Sequence, residues 1–120
     1  MAATEIWHNP QCSKSRTAKR VLDESGTDYT ERRYLDNPPT ATEIRAALTK
    51  LGLEPWQITR TAEAEAKELG ISKWAKTPAD RDRWIEALAT HPRLIQRPIV
   101  FTPDGRAFVA RDDDSLNEIR

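Results

Sequence analysis

The chain opens with a strand, a helix and a second strand in immediate succession, and that order limits its architecture more than any other feature. Residues 4–7 are short and extended in character, and Asn9-Pro10 breaks them. Over residues 13–25 the apolar Ala18, Val21 and Leu22 follow helical spacing until Gly26 stops the pattern. Residues 29–35 read as a second strand, closed by Asn37-Pro38-Pro39. Two strands joined through a helix run parallel, with a right-handed crossover.

The middle of the chain is helical. Thr40 and Glu43 have the spacing of a capping box, and Ile44, Ala47, Leu48 and Leu51 follow as one apolar face up to Gly52. Residues 54–61 predict a short helical or irregular stretch that delivers Arg60, and residues 62–69 a short helix capped by Gly70. Thr77-Pro78 opens a further helix, whose apolar face is Trp84, Ile85 and Leu88 and which His91-Pro92 closes. Residues 98–101 and 106–110 then flank the turn Thr102-Pro103-Asp104-Gly105, which predicts an antiparallel hairpin. Residues 115–119 read as a short terminal helix or a frayed end. The sum is an α/β fold, βαβ and ββα around a mixed four-stranded sheet, with a helical insertion between the halves. The expected organisation is one domain over residues 1–120.

Composition narrows the function. Lys plus Arg and Asp plus Glu balance at 19 each, so no overall field favours nucleic acid or an anionic membrane. No long apolar run, signal-peptide pattern or lipidation motif stands out, and the expectation is a cytoplasmic monomer. One cysteine excludes an internal disulfide, and with only two histidines a structural zinc site is not expected. No metal and no bound cofactor is predicted.

That cysteine lies in His8-Asn9-Pro10-Gln11-Cys12-Ser13-Lys14-Ser15-Arg16, at the start of the first helix. Unpaired N–H groups and the positive end of the helix dipole favour thiolate there, and thiolate is the nucleophile. Lowering a thiol pKa from ~8.5 to ~6.5 raises the thiolate fraction near neutrality from a few per cent to roughly three-quarters. Lys14 and Arg16 add charge and Ser13 and Ser15 add hydroxyls, so the loop suits an oxyanion beside the sulfur. Ser15 stands where a Cys-x-x-Cys pair would have its second thiol, so any resolving thiol comes from another molecule.

The chain resembles the glutaredoxin-coupled arsenate reductases. The likeness rests on His8-Asn9-Pro10 with Cys12, Ser15 and Arg16. It continues through Tyr34-Leu35-Asp36-Asn37-Pro38-Pro39-Thr40, Arg60, His91-Pro92 and Arg97-Pro98-Ile99-Val100. It implies a thioredoxin-like fold and arsenate reduction that draws on glutathione as co-substrate and on glutaredoxin as partner. Cys12 then maps onto the nucleophile and Arg16 onto the arginine just inside the first helix. Arg60, Arg97 and Arg111 map onto the anion-binding arginines, with Arg106 competing for the last place because the hairpin here is one residue longer. The tail after the hairpin is also shorter than in the best-known members. Pro98 corresponds to the cis proline that faces the active cysteine in such folds, which aims Arg97 at Cys12.

Several readings of the residues stay open. His8 either holds Cys12 ionised, by charge or by orientation, or satisfies backbone groups at the turn. Arg16, Arg60 and Arg97 each also fit a solvated surface. Trp7 and Trp84 suit the core, whereas Trp56 and Trp74 lie in less regular segments and are expected to be partly exposed. Asp112-Asp113-Asp114 reads as an acidic cap for the last helix rather than a metal loop. Two other functions compete: a glutathione-dependent thiol-disulfide reductase on the same scaffold, and a redox-responsive regulator that binds RNA polymerase. Arg60 and Arg97 argue against the first, since a disulfide needs no guanidinium cradle. The missing second thiol argues against the other.

Overall fold

The computed structural model describes residues 4–120. Two compact units emerge from its backbone: the chain up to Asn37 together with Arg97–Arg120, and Pro38–Gln96.

The first unit is a sheet with helices. It comprises β1 (Thr4–Trp7), α1 (Ser13–Glu24), β2 (Tyr29–Arg32), β3 (Ile99–Phe101), β4 (Ala107–Val109) and α5 (Asp113–Glu118). The strand order is β2-β1-β3-β4; β1 runs parallel to β2, and both β1–β3 and β3–β4 are antiparallel. This is the mixed sheet of the thioredoxin-like plan expected from the sequence. Ile6, Ala18, Leu22 and Val100, all fully buried, form its core with Ala110 and Ile119. Each large aliphatic side chain buried there contributes about 1.5–3 kcal/mol relative to exposure. Trp7 packs on Phe101 with ring centroids 5.0 Å apart.

Register decides where chemistry can gather. Trp7 pairs with Arg32 on one side and with Ile99 on the other. The loop leaving β1, the turn leaving β2 and the residues entering β3 therefore share one end of the sheet. Open α/β sheets commonly present ligands at the carboxyl ends of their parallel strands, just where this loop lies.

Three boundaries of this unit differ from expectation. The second strand ends at Arg32, not at residue 35, because the Asp36 and Asn37 N–H groups both donate to the Arg33 carbonyl (3.0 and 2.9 Å). Arg32 Nε donates to the Asn37 carbonyl (3.0 Å) and fastens that turn. At the hairpin the strands are three residues each, since Thr102 N–H closes onto the Arg106 carbonyl (2.9 Å) and Gly105 takes a positive φ of 87°. The last helix begins earlier, at Asp113, because Asp112 accepts from the Ser115 N–H (2.8 Å) and caps it as the acidic run suggested.

The second unit holds α2 (Ala41–Leu51), α3 (Ala64–Leu69) and α4 (Arg81–Thr90), with one 3-10 turn between the first two and two between the last two. The capping box forms as read: Thr40 Oγ1 accepts from the Glu43 N–H (3.1 Å), and Glu43 accepts from the Thr40 N–H (3.0 Å). Gly52 ends α2 at φ 67°, a left-handed cap that costs glycine little. Before α4 the chain forms the 3-10 turn Pro78–Asp80, so the α-helix starts at Arg81. Trp84 is fully buried between the edges of Trp56 and Trp74, and its Nε1 donates to the Ala75 carbonyl (3.0 Å). Trp56 and Trp74 are half-buried. Among the described residues no helix is long and apolar enough to cross a membrane.

Candidate active site

Cys12 is the N-cap residue of α1, with extended backbone (φ −98°, ψ 125°), and its side chain is half-buried. The loop that presents it is tightly closed. Cys12 N–H donates to the Asn9 carbonyl (3.0 Å), and Asn9 Oδ1 accepts from the Gln11 N–H (3.0 Å). Beneath it Ser15, fully buried, accepts the Asn9 N–H (3.0 Å) at Oγ and shares a 2.7 Å hydrogen bond with His8 Nδ1. Arg16 braces the outside of the loop, donating from Nη1 to the Pro10 carbonyl (2.9 Å).

The sulfur sits among donors. Burial pushes the Cys12 thiol up. The Ser15 backbone N–H, the Arg97 side chain within hydrogen-bonding reach and the Lys14 N–H outweigh it, and the positive charge of Arg97 adds to them, giving a pKa of about 7. These N–H groups are the free donors of the first turn of α1, which Cys12 precedes as N-cap. Near neutral pH about half of the thiol is thiolate.

His8 is 3% exposed, and its environment opposes a charge. Burial lowers its pKa below the usual 6.5; Glu31 works against that, while Lys19, Arg33 and Arg16 reinforce it. Of the two modes open to His8, a fixed positive charge beside Cys12 is the one disfavoured. A neutral ring that orients Ser15, and through it the loop, fits the geometry. The Ser15 hydroxyl is occupied by the loop, so the group Ser15 turns to the sulfur is its backbone N–H.

Arg97 enters from the other chain segment, immediately before the cis peptide bond to Pro98. Its burial opposes the charge, but contact with Cys12 and with Tyr34 holds the guanidinium firmly protonated. Arg111 lies behind it, half-buried, and donates from Nη1 to the Arg97 carbonyl (2.6 Å). Arg106, by contrast, is exposed and paired with Asp104 (2.7 Å) and Glu118 (3.1 Å) at the hairpin. Of the two competing arginines, Arg111 is thus the one next to Arg97. Arg60 belongs to the helical unit. There its N–H donates to the Leu94 carbonyl (2.7 Å) and its Nε to Glu63 (3.2 Å).

The first unit therefore gathers Cys12, Ser15, His8, Arg16, Arg97 and Arg111 at one end of its sheet. A half-ionised thiol with guanidiniums beside it can attack an electrophilic oxyanion and neutralise its charge. Sequence reasoning gave no role to two residues of this cluster. Asn9 ties the loop through its side chain, and Tyr34, fully buried, is among the groups that favour the charged form of Arg97. An Asn before Pro is a recognisable turn signal; nothing local distinguishes Tyr34 from an ordinary strand aromatic.

Comparison with known proteins shows which family the chain belongs to. The chain is 58% identical over 114 residues to an uncharacterized protein in the glnII region of Streptomyces viridochromogenes, covering 95% of this chain and 96% of that one. It is 37% identical over 120 residues to an arsenate reductase of Neisseria meningitidis, with 99% of each chain covered. The solved structure of an arsenate reductase from Vibrio cholerae superposes with a TM-score of 0.87 at 34% identity, over 100% of both chains. The ArsC family model matches residues 7–119, a span from the end of β1 to the last helix, and the chain belongs to the ArsC family.

Proposed function

We propose that this protein is a cytoplasmic arsenate reductase that depends on glutathione and glutaredoxin. The observation that carries the reading is the pairing of a thiol poised at about 7 with the Arg97 guanidinium against it. Arsenate brings close to two negative charges near neutral pH, which a planar guanidinium fork offsets with parallel hydrogen bonds. Arg97, with Arg111 and Arg16 close by, binds the anion and stabilises charge that builds on its oxygens during attack.

The chemistry then needs two electrons for arsenic and two thiols to supply them. Cys12 thiolate attacks arsenic, forms a sulfur–arsenic bond and displaces one oxygen, which leaves as water once protonated. Glutathione forms a second sulfur–arsenic bond and displaces a second oxygen, which also leaves as water. A glutaredoxin thiolate attacks the glutathione sulfur, giving a mixed disulfide, and the electron pair of the breaking bond passes to arsenic. Hydrolysis releases arsenite and returns Cys12 as thiol. This chain contains one cysteine, so the other sulfurs come from partners.

The test is arsenite production from arsenate by the purified protein with glutathione and glutaredoxin, run beside Cys12→Ser. Turnover that disappears in the variant is expected; equal turnover in both removes the mechanism. Faster turnover of a glutathione mixed disulfide than of arsenate would favour a thiol-disulfide reductase instead.

A further inference from the structure

α1 is charged against its own dipole. The macrodipole of a helix favours acids in the first turn and cations in the last. α2 follows that rule, with Glu43 at its start and Lys50 at its end, and α5 opens on Asp113 and Asp114. α1 has no acid in its first turn and no cation in its last. Its cations, Lys14, Arg16, Lys19 and Arg20, all precede its acids, Asp23 and Glu24. Arg16 and Arg20 are also spaced i, i+4 on one exposed face, where like charges repel.

An anion at the sulfur accounts for Lys14 and Arg16. It does not account for Arg20, which a rise of 1.5 Å per residue puts about 12 Å along the helix from Cys12. Arg33 adds a cation from the turn after β2, at the end of the sheet where Cys12 is presented. It is 58% exposed, and with Lys19 it shares one carboxylate, Glu31 (2.8 and 3.4 Å). The chain as a whole has zero net charge, so this concentration of cations is local.

We propose that the basic surface formed by Lys14, Arg16, Lys19, Arg20 and Arg33 docks an acidic face of the protein that brings the resolving thiol to Cys12. The proposal rests on the reading of Cys12 as a thiol resolved by partners. Even a weak redox encounter covers about 600 Å² on each protein, a disc of about 14 Å radius. A protein that delivers its sulfur to Cys12 therefore extends over the first turns of α1, with Arg20 near its rim. Charges at a rim act mainly on the rate of encounter, through an attraction that salt screens. Nucleic acid is the poorer fit, since the chain offers a polyanion no overall attraction.

The test contains no arsenate. Cys12 is converted to its glutathione mixed disulfide with glutathione disulfide, and reduced glutaredoxin is added. The glutaredoxin thiolate attacks the glutathione sulfur; Cys12 leaves as thiolate, and glutaredoxin carries the glutathione as its own mixed disulfide. Intact mass followed over time gives the second-order rate constant. At ~10 mM salt Arg20→Glu is expected to lower that constant about fivefold, and Arg20→Lys to preserve it. At ~0.5 M salt the wild type and Arg20→Glu should agree. Reduction by dithiothreitol, a small neutral thiol, should be equal in all three proteins. Arg45→Glu makes the same charge change at an exposed position of α2 and should leave the glutaredoxin rate unchanged. An unchanged rate in Arg20→Glu, a loss that survives high salt, or an equal loss in Arg45→Glu overturns the proposal. So does a glutaredoxin rate no faster than that of dithiothreitol at equal concentration. Duplex DNA that blocks the wild-type reaction at the concentration of glutaredoxin would overturn it too, and give the surface to nucleic acid. Arsenate turnover by the wild-type protein is measured separately, so failure of the functional reading is told apart from failure of this one.

Discussion

Arg97→Ala tests the electrostatics of the site most directly. The Cys12 thiol stands at about 7 against a reference of 9.0, with burial working against the thiolate. The groups that lower it are the Ser15 and Lys14 N–H groups on one side and Arg97 on the other, through both hydrogen bond and charge. Removing Arg97 deletes the second set. It also admits water to the sulfur, which relieves part of the burial cost, so the loss is only partly felt. The expected net rise is about one unit, or about 1.4 kcal/mol of lost thiolate stabilisation. At neutral pH that takes the thiolate fraction from about a half to about a tenth. Rates of iodoacetamide alkylation, followed from pH ~5.5 to ~9.5, give the midpoint because only thiolate reacts. Arg97→Lys, which keeps the charge but not the planar fork, should fall between the two. A midpoint within ~0.3 unit of wild type in Arg97→Ala would refute the reasoning and leave the helix N–H groups as the whole cause.

Two further expectations concern the neighbours of Cys12. Inorganic phosphate, an unreactive tetrahedral anion, should protect Cys12 from alkylation; Arg111→Ala should weaken that protection by about tenfold, as loss of a charged hydrogen bond does. Arg106→Ala, at the exposed hairpin pairs, should leave it unchanged, and the reverse pattern would transfer the anion role to Arg106. His8 makes a prediction for stability. Its folded-state pKa lies below the ordinary 6.5, so on acidification the unfolded chain takes up a proton before the native one does. Stability from this residue is therefore complete above ~6.5 and declines as pH falls through the folded value. Urea unfolding at pH ~7.5 and ~5 should show that decline, and His8→Gln should flatten it. An equally steep acid loss in the variant would place the titration at another group.

Much of this molecule is legible in local patterns, because the forces concerned are local. Hydrophobic spacing marks α1 and α2, Gly26 and Gly52 mark their ends, and Thr40 with Glu43 announces a cap that forms as read. The reactive placement of Cys12 follows from its position before a helix, and the missing second thiol follows from counting. The helix boundaries near Ala64 and Arg81 were less legible, since 3-10 and α turns share residue preferences and compete within one turn.

The guanidinium at the sulfur is a different matter. Arg97 lies far from Cys12 in the chain, and a single arginine carries no periodicity that separates a site residue from a solvated one. The family resemblance named it; only the antiparallel pairing of Trp7 with Ile99 brings it to the cysteine loop. Tyr34 escaped for the same reason in reverse. Its alternation suits a continuing strand, and hydrogen bonds to the Arg33 carbonyl turn the chain first. Sequence alone determined which segments become strands and helices and where the thiol is exposed to a helix terminus, since neighbours along the chain supply those interactions. The tertiary structure decided which distant charges reach that thiol, because Coulomb and hydrogen-bond energies depend on separation in space and not on separation along the chain.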